Sequence, residues 1–297
     1  QIAVFYHGET LTGMDLFAPT AQVNITISRL TFVNAMQRIG TPFDFYNLAD
    51  IPVLHERGLL KQYRLCVFLN PFYLTPAERS SLDLCKGGER TLLWLWAPGL
   101  GGSDRSPNAD NVSALIEIPG VRALEQRAVQ SYQLCDPEHP LNAGLESEAR
   151  FAALPFPPGA TWECFGNDVW PVLYVDPERC GADTEILGQW VLNGEPAHER
   201  IAYCSRANIG GRDGRWRSVY AAVPLLNAAQ LRNLAREAGV HIYWEGDEIF
   251  FAGAGFLSLH TGNEASEGVL RLPEVSDAYD VFSGRAACSH AKEIAVD

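Results

Sequence analysis

The chain has 297 residues, 47% hydrophobic and 20% charged, enough to bury a sizeable core as one large or two smaller domains. Its formal net charge of -13 speaks against nucleic acid and anionic membrane surfaces, whose binding needs clustered Lys and Arg. No apolar run reaches the roughly 18 residues of a membrane span.

The opening Gln1-Ile-Ala-Val-Phe-Tyr6 lacks the basic flank and small-residue cleavage site of a signal peptide, and it reads as a compact apolar strand. The missing initiator Met and the contents of the chain favour a piece of a longer polypeptide. His7-Gly8-Glu9 follows at the carboxyl end of the strand. A helix capped by Asn24 comes next, with Ile25, Phe32, Met36 and Ile39 at helical spacing and Gly40 as its stop. Pro42 to Leu48 alternates like a strand, and Leu65-Cys-Val-Phe-Leu69 is continuously apolar. Leu74-Thr-Pro-Ala-Glu78 opens a helix, with Thr75 as cap, Pro76 at the first helical position and Glu78 completing a capping box. Gly87-Gly88 ends that helix, and Thr91 to Trp96 is the next buried strand, feeding a sharp turn at Ala97-Pro98-Gly99.

Continuously apolar strands separated by helices mean a parallel sheet covered on both faces. The fold class is therefore α/β, a flavodoxin-like doubly wound sheet with its crevice at the carboxyl ends of the strands. From Val121 to Val219 short β-type runs read as further strands of the same sheet. After Ser218–Val223, a helix capped by Asn227 is stapled by Leu226 and Leu231 and stopped by Gly239. Beyond Val240 only strands are expected, as a small antiparallel β domain, which divides the chain into 1–240 and 241–297.

In an enzyme of this architecture, the turn after the Thr91–Trp96 strand would carry a nucleophilic Cys or Ser. Trp96-Ala97-Pro98 stands there instead, and no G-x-S-x-G is present. No catalytic residue is assigned. The loop His7-Gly8-Glu9-Thr10 has no phosphate-binding glycine pattern, and Glu9 would repel a phosphate, so no flavin, nucleotide or other cofactor is expected. Seven cysteines form no C-x-x-C pair and no metal-ligand spacing; they read as reduced structural thiols, which favours the cytoplasm over the periplasm, and no metal ligands are assigned. The sequons at Asn24 and Asn111 are taken as chance. His139, in a Pro-flanked loop, reads as a turn-fixing residue. Trp94 and Trp190 read as core, whereas Trp216, flanked by charge, is an expected exposed aromatic. The crevice candidates for ligand binding are Tyr6, His7, Glu9, Asn70, Trp96 and Ala97, with Pro71 and Gly99 beside them. A glycosidase carboxylate pair needs no sequence proximity, and 36 acidic residues leave it open.

Several stretches in order carry a resemblance: Arg38–Tyr46, Tyr63–Asn70, Thr91–Gly99, Asp136–Gly144, Trp216–Tyr220, Leu231–Tyr243, Phe256–His260 and Arg271–Gly284. Together they make the chain resemble the glutamine-amidotransferase-like trimerisation domain of family 42-type β-galactosidases, as found in large bacterial glycoside hydrolase-like proteins. The resemblance implies a class I amidotransferase-like fold without its catalytic Cys, serving assembly or the shaping of a neighbouring carbohydrate site. It also implies homo-oligomers, a trimer foremost, or fusion to a (β/α)8 barrel that carries the catalytic carboxylates; no such barrel is present here. Two readings stand: a non-catalytic module of a glycoside hydrolase-type protein, or a carbohydrate-active or amidase-type hydrolase. The latter would use crevice residues such as His7, Glu9 and Asn70, or catalysis supplied by a barrel.

Overall fold

A computed structural model describes residues 1–12, 27, 31, 35–102, 106–124, 131–145, 150–152, 171–192, 194–262 and 267–296. In chain order the elements are β1 (Ile2–Tyr6), α1 (Gly8–Thr12), β2 (Asp44–Asn47), α2 (Ile51–Glu56), β3 (Leu65–Leu69), α3 (Pro76–Asp83) and β4 (Arg90–Leu95). Next come α4 (Ala109–Ile116), β5 (Val121–Leu124), β6 (Ser131–Leu134), β7 (Arg150–Ala152), β8 (Val172–Val175), β9 (Thr184–Leu192), β10 (Glu195–Gly211) and β11 (Gly214–Ala221). The chain closes with α5 (Ala228–Glu237), β12 (Ile249–Gly253), β13 (Phe256–His260), β14 (Gly268–Tyr279) and β15 (Ala286–Val296).

Five strands in the order β2-β1-β3-β4-β11 run parallel. This is the flavodoxin-like order, and the direction of winding reverses between β1 and β3. Every residue of β3 and β4 is buried, as strands covered on both faces require. Phe5, Phe68 and Trp94 stack across neighbouring strands, with ring centroids 5.3 and 4.3 Å apart. Beyond β11 the sheet turns antiparallel through β10, β9, β6 and β7, with β8 and β5 branching from β10. The strand runs after Val121 thus extend the same sheet, which has 11 strands among the described residues.

The expected capping box forms at α3, and the expected Asn227 cap at α5 proves to be a full box as well. Thr75 Oγ1 accepts from the Glu78 N–H, and Glu78 returns a carboxylate oxygen to Thr75. Asn227 and Gln230 do the same at α5. Most of the helix expected after Asn24 falls outside the described residues. Of that helix, Ile27, Thr31 and Ala35 are buried, and Met36–Arg38 is a 3-10 turn rather than a last α-helical turn. Gly40 ends it as expected, at φ +72, and a side chain there would strike the Trp244 carbonyl oxygen at 1.7 Å.

Among the described residues, only strands and turns follow α5, in two antiparallel hairpins, β12–β13 and β14–β15. They share a small core of Trp244, Phe250, Leu270 and Leu272. Gly40 O holds this part to the α/β body by accepting from Tyr243 and Trp244 N–H at 2.8 and 3.1 Å. The Arg232 guanidinium joins the carbonyls of Arg38 (2.7 Å) and Gly246. The described cysteines are all free, and Cys66 and Cys85 are fully buried; Cys164 lies outside the described residues. Trp216 corrects an expectation: it is 2% exposed, with the Lys86 ammonium 5.6 Å from its ring centroid. The flanking charges are on the surface, but the alternation of β11 turns the indole inward.

Candidate functional site

The residues expected at the crevice stand where the loops after β1, β3 and β4 meet, at the point of reversed winding. On the β4 side the chain leaves the strand at Trp96 with φ +60, a conformation that a bulky residue adopts only under constraint. A nucleophile elbow has this sharp strand-to-turn shape, and the N–H that follows it lines the oxyanion hole. Here each of those positions is closed. Trp96 is fully buried, its Nε1–H donates to Pro171 O at 2.8 Å, and its carbonyl accepts from Tyr220 O–H at 2.6 Å. The Ala97 N–H, which would face an oxyanion, donates instead to Asn70 Oδ1 at 2.9 Å. Asn70 and Ala97 are 1% and 0% exposed. Gly99 N–H donates to Pro71 O at 2.7 Å, which ties this turn to the loop after β3.

The β1 side is polar. His7 is 6% exposed; its Nδ1 lies 2.6 Å from Thr10 Oγ1 and its Nε2 2.8 Å from Glu78 Oε1. Thr10 Oγ1 accepts from the Phe72 N–H at 3.1 Å and, more weakly, from Tyr73 at 3.4 Å. These bonds hold Thr10 Oγ1 against Nδ1, so that Nε2 is the ring nitrogen facing Glu78. Glu78 Oε2 is held by the N–H and O–H of Thr75, both at 2.7 Å. Burial pushes the Glu78 carboxyl up, but the bonds from Thr75 and His7 outweigh it and leave the group below its ordinary value. A carboxyl held ionised in this way is a poor general acid for a glycosidic oxygen, a role that needs a raised pKa. Glu9, exposed in the first turn of α1, completes a group: donor atoms of His7, Glu9 and Glu78 lie within 4.8 Å of one another.

The six sequence candidates therefore separate into three sets. Asn70, Trp96 and Ala97 come together as a closed, hydrogen-bonded floor. His7 and Glu9 face Glu78, which sequence reasoning had assigned only to a helix cap. Tyr6 stands apart, its ring stacked on exposed Phe45 with centroids 5.1 Å apart and planes 6° from parallel. Seventy-one positions separate His7 from Glu78, so no spacing motif could have joined them. Their common address, the carboxyl end of β1 and the start of the helix after β3, was the available signal. Outside the crevice, His139 Nδ1 accepts from the Leu141 N–H at 3.1 Å, capping a 3-10 turn as expected.

No family model and no curated protein sequence matches the chain. Solved structures do. A β-galactosidase from Bacillus circulans sp. alkalophilus aligns with 99% of this chain at 12% identity and a TM-score of 0.60. A GH42 β-galactosidase from G. stearothermophilus aligns with 99% at 12% identity and 0.56. The β-galactosidase of the Antarctic haloarchaeon Halorubrum lacusprofundi aligns with 100% at 14% identity and 0.54. The alignments cover 40%, 40% and 39% of those chains, so this chain spans about two fifths of the length of the β-galactosidases it matches. The expected resemblance holds at the level of the fold: essentially the whole chain, α/β body and β hairpins together, has the architecture of one part of a family 42-type β-galactosidase.

Proposed function

We propose that this chain is a non-catalytic, amidotransferase-like module of a glycoside hydrolase-type protein that serves oligomeric assembly and helps shape a carbohydrate site. The observation that carries the proposal is the closed elbow. The backbone keeps the bend of a nucleophile turn, while Trp96 fills the nucleophile's place and Asn70 takes the N–H that would hold an oxyanion. An active acyl-transfer site leaves that N–H facing the reacting carbonyl, and this one is saturated from within. The fold shared with two fifths of several β-galactosidases supports a setting beside a catalytic domain. The division at 240/241 belongs to this reading, with the separate core around Trp244 and Phe250 in its support. For an assembly surface we look to the hairpins, where Phe256, Val281 and Phe282 are 65%, 71% and 101% exposed. Single exposed apolar residues are ordinary, but three at the tips of neighbouring hairpins form a patch of the kind that partners cover.

Multi-angle light scattering of the purified chain across a concentration range tests the assembly role. A stable trimer, or another closed oligomer, is the expected result. A monomer at every concentration would remove that role and leave only the shaping of a neighbouring site. Assays with aryl glycosides and glutamine are expected to show no turnover by the chain alone; turnover lost in His7→Ala or Glu9→Ala would overturn the non-catalytic reading.

A further inference from the structure

We infer that His7, Glu9 and Glu78 form a binding site for one divalent first-row transition-metal ion of the zinc class, at the point where the sheet reverses its winding. Three donor atoms of the types that such ions prefer, one imidazole nitrogen and two carboxylate oxygens, already lie within 4.8 Å of one another. Donors bound tetrahedrally to one ion at about 2.0–2.2 Å stand about 3.3–3.6 Å apart, so His7 Nε2 and Glu78 Oε1, now 2.8 Å apart, need to open by only about half an ångström to share an ion.

Two of the three donors are aimed by the fold itself. Thr75 holds Glu78 Oε2, which leaves Oε1 directed at the imidazole. Thr10, anchored by backbone N–H groups of the loop after β3, fixes the plane of the ring from its far side. Such a partner on the non-ligating nitrogen is what orients metal-binding histidines. Ligation through Nε2 uses the tautomer with the ring proton on Nδ1, where Thr10 Oγ1 stands 2.6 Å away and is held in place by the 3.1 Å bond from the Phe72 N–H. Charge favours the ion as well: two carboxyl side chains share the site with the imidazole, within a chain of net charge -13. Glu9 is exposed, so the site opens on its side, and the ion keeps positions for water or an oxygen-bearing ligand from the crevice.

The site does not depend on the assembly reading. It is tested by titrating the metal-stripped full chain with Co²⁺ and Zn²⁺, by calorimetry and by visible absorption. One ion per chain is expected, with a cobalt spectrum free of thiolate charge-transfer bands, which excludes the cysteines as ligands. Glu9→Gln removes an exposed donor without touching the core. It is expected to weaken binding by at least the ~10–100-fold that loss of a second-shell partner costs at known sites. His7→Ala is expected to abolish the saturable step, with a far-ultraviolet circular dichroism spectrum confirming that this variant is folded. Absence of a saturable step in the parent chain, thiolate bands in the spectrum, or equal affinity in parent and Glu9→Gln would each overturn the assignment.

Discussion

The two sides of the crevice are built from the same parts, a loop at the end of a parallel strand, and they have opposite chemical contents. On the β4 side every polar group that catalysis could use is turned inward: the Trp96 indole N–H to Pro171, its carbonyl to Tyr220, the Ala97 N–H to Asn70. On the β1 side His7, Glu78 and Glu9 keep ionisable groups together with an opening to solvent. The lesson is that a fold can retain the bend of an active-site turn and close it by hydrogen bonding, while a neighbouring loop stays chemically equipped. Backbone geometry and reactive groups are separable properties of the same scaffold.

Substitutions that unmake the closed side are expected to have the largest effects. Trp96→Ala empties a fully buried indole site and is expected to cost about 3–5 kcal/mol in urea denaturation, as large-to-small core changes do. A cost under about 1 kcal/mol would mean that the turn is not held by its contents. Asn70→Ala leaves the Ala97 N–H buried and unpaired, and the expected loss is about 1–3 kcal/mol. A stability equal to the parent would show that water reaches this amide, and the contrast between the two sides would then weaken.

The smallest effect belongs to the polar side. Glu78→Gln preserves the capping box, since Gln can serve at that position, and exchanges a charge-assisted bond to His7 for a neutral one, at a cost of about 1 kcal/mol. Its pH dependence has a definite sign. The folded Glu78 carboxyl lies below its unfolded value, so its contribution is complete above the unfolded pKa and is lost as pH falls through the folded one. With a chelator present, the acid side of the parent stability profile is therefore expected to be steeper than that of Glu78→Gln. Coincident profiles would remove the interaction.

Local signals were legible where the determining contacts span a few residues. The Thr75–Glu78 and Asn227–Gln230 boxes form because cap and partner are three positions apart, within reach of one turn. Helix α2, with only Ile51 and Leu54 buried, and α4, capped by Asn108, carried weaker patterns and were not singled out. Trp216 was misplaced because charged neighbours in a strand say nothing about the residue between them, whose side chain points to the other face.

By itself the sequence determined that this is an α/β chain opening on parallel strands, with no Cys or Ser in the turn after β4 and, among the described residues, only strands and turns after α5, because continuous apolar runs, caps and residue identities are local facts. Only the tertiary structure decided that Asn70 occupies the Ala97 amide, that Trp96 holds a positive φ, and that His7 meets a glutamate 71 positions away. Those contacts arise from the parallel stacking of β1, β3 and β4, which brings distant loops to one edge. A pairing made by topology leaves no periodic trace in the chain that encodes it.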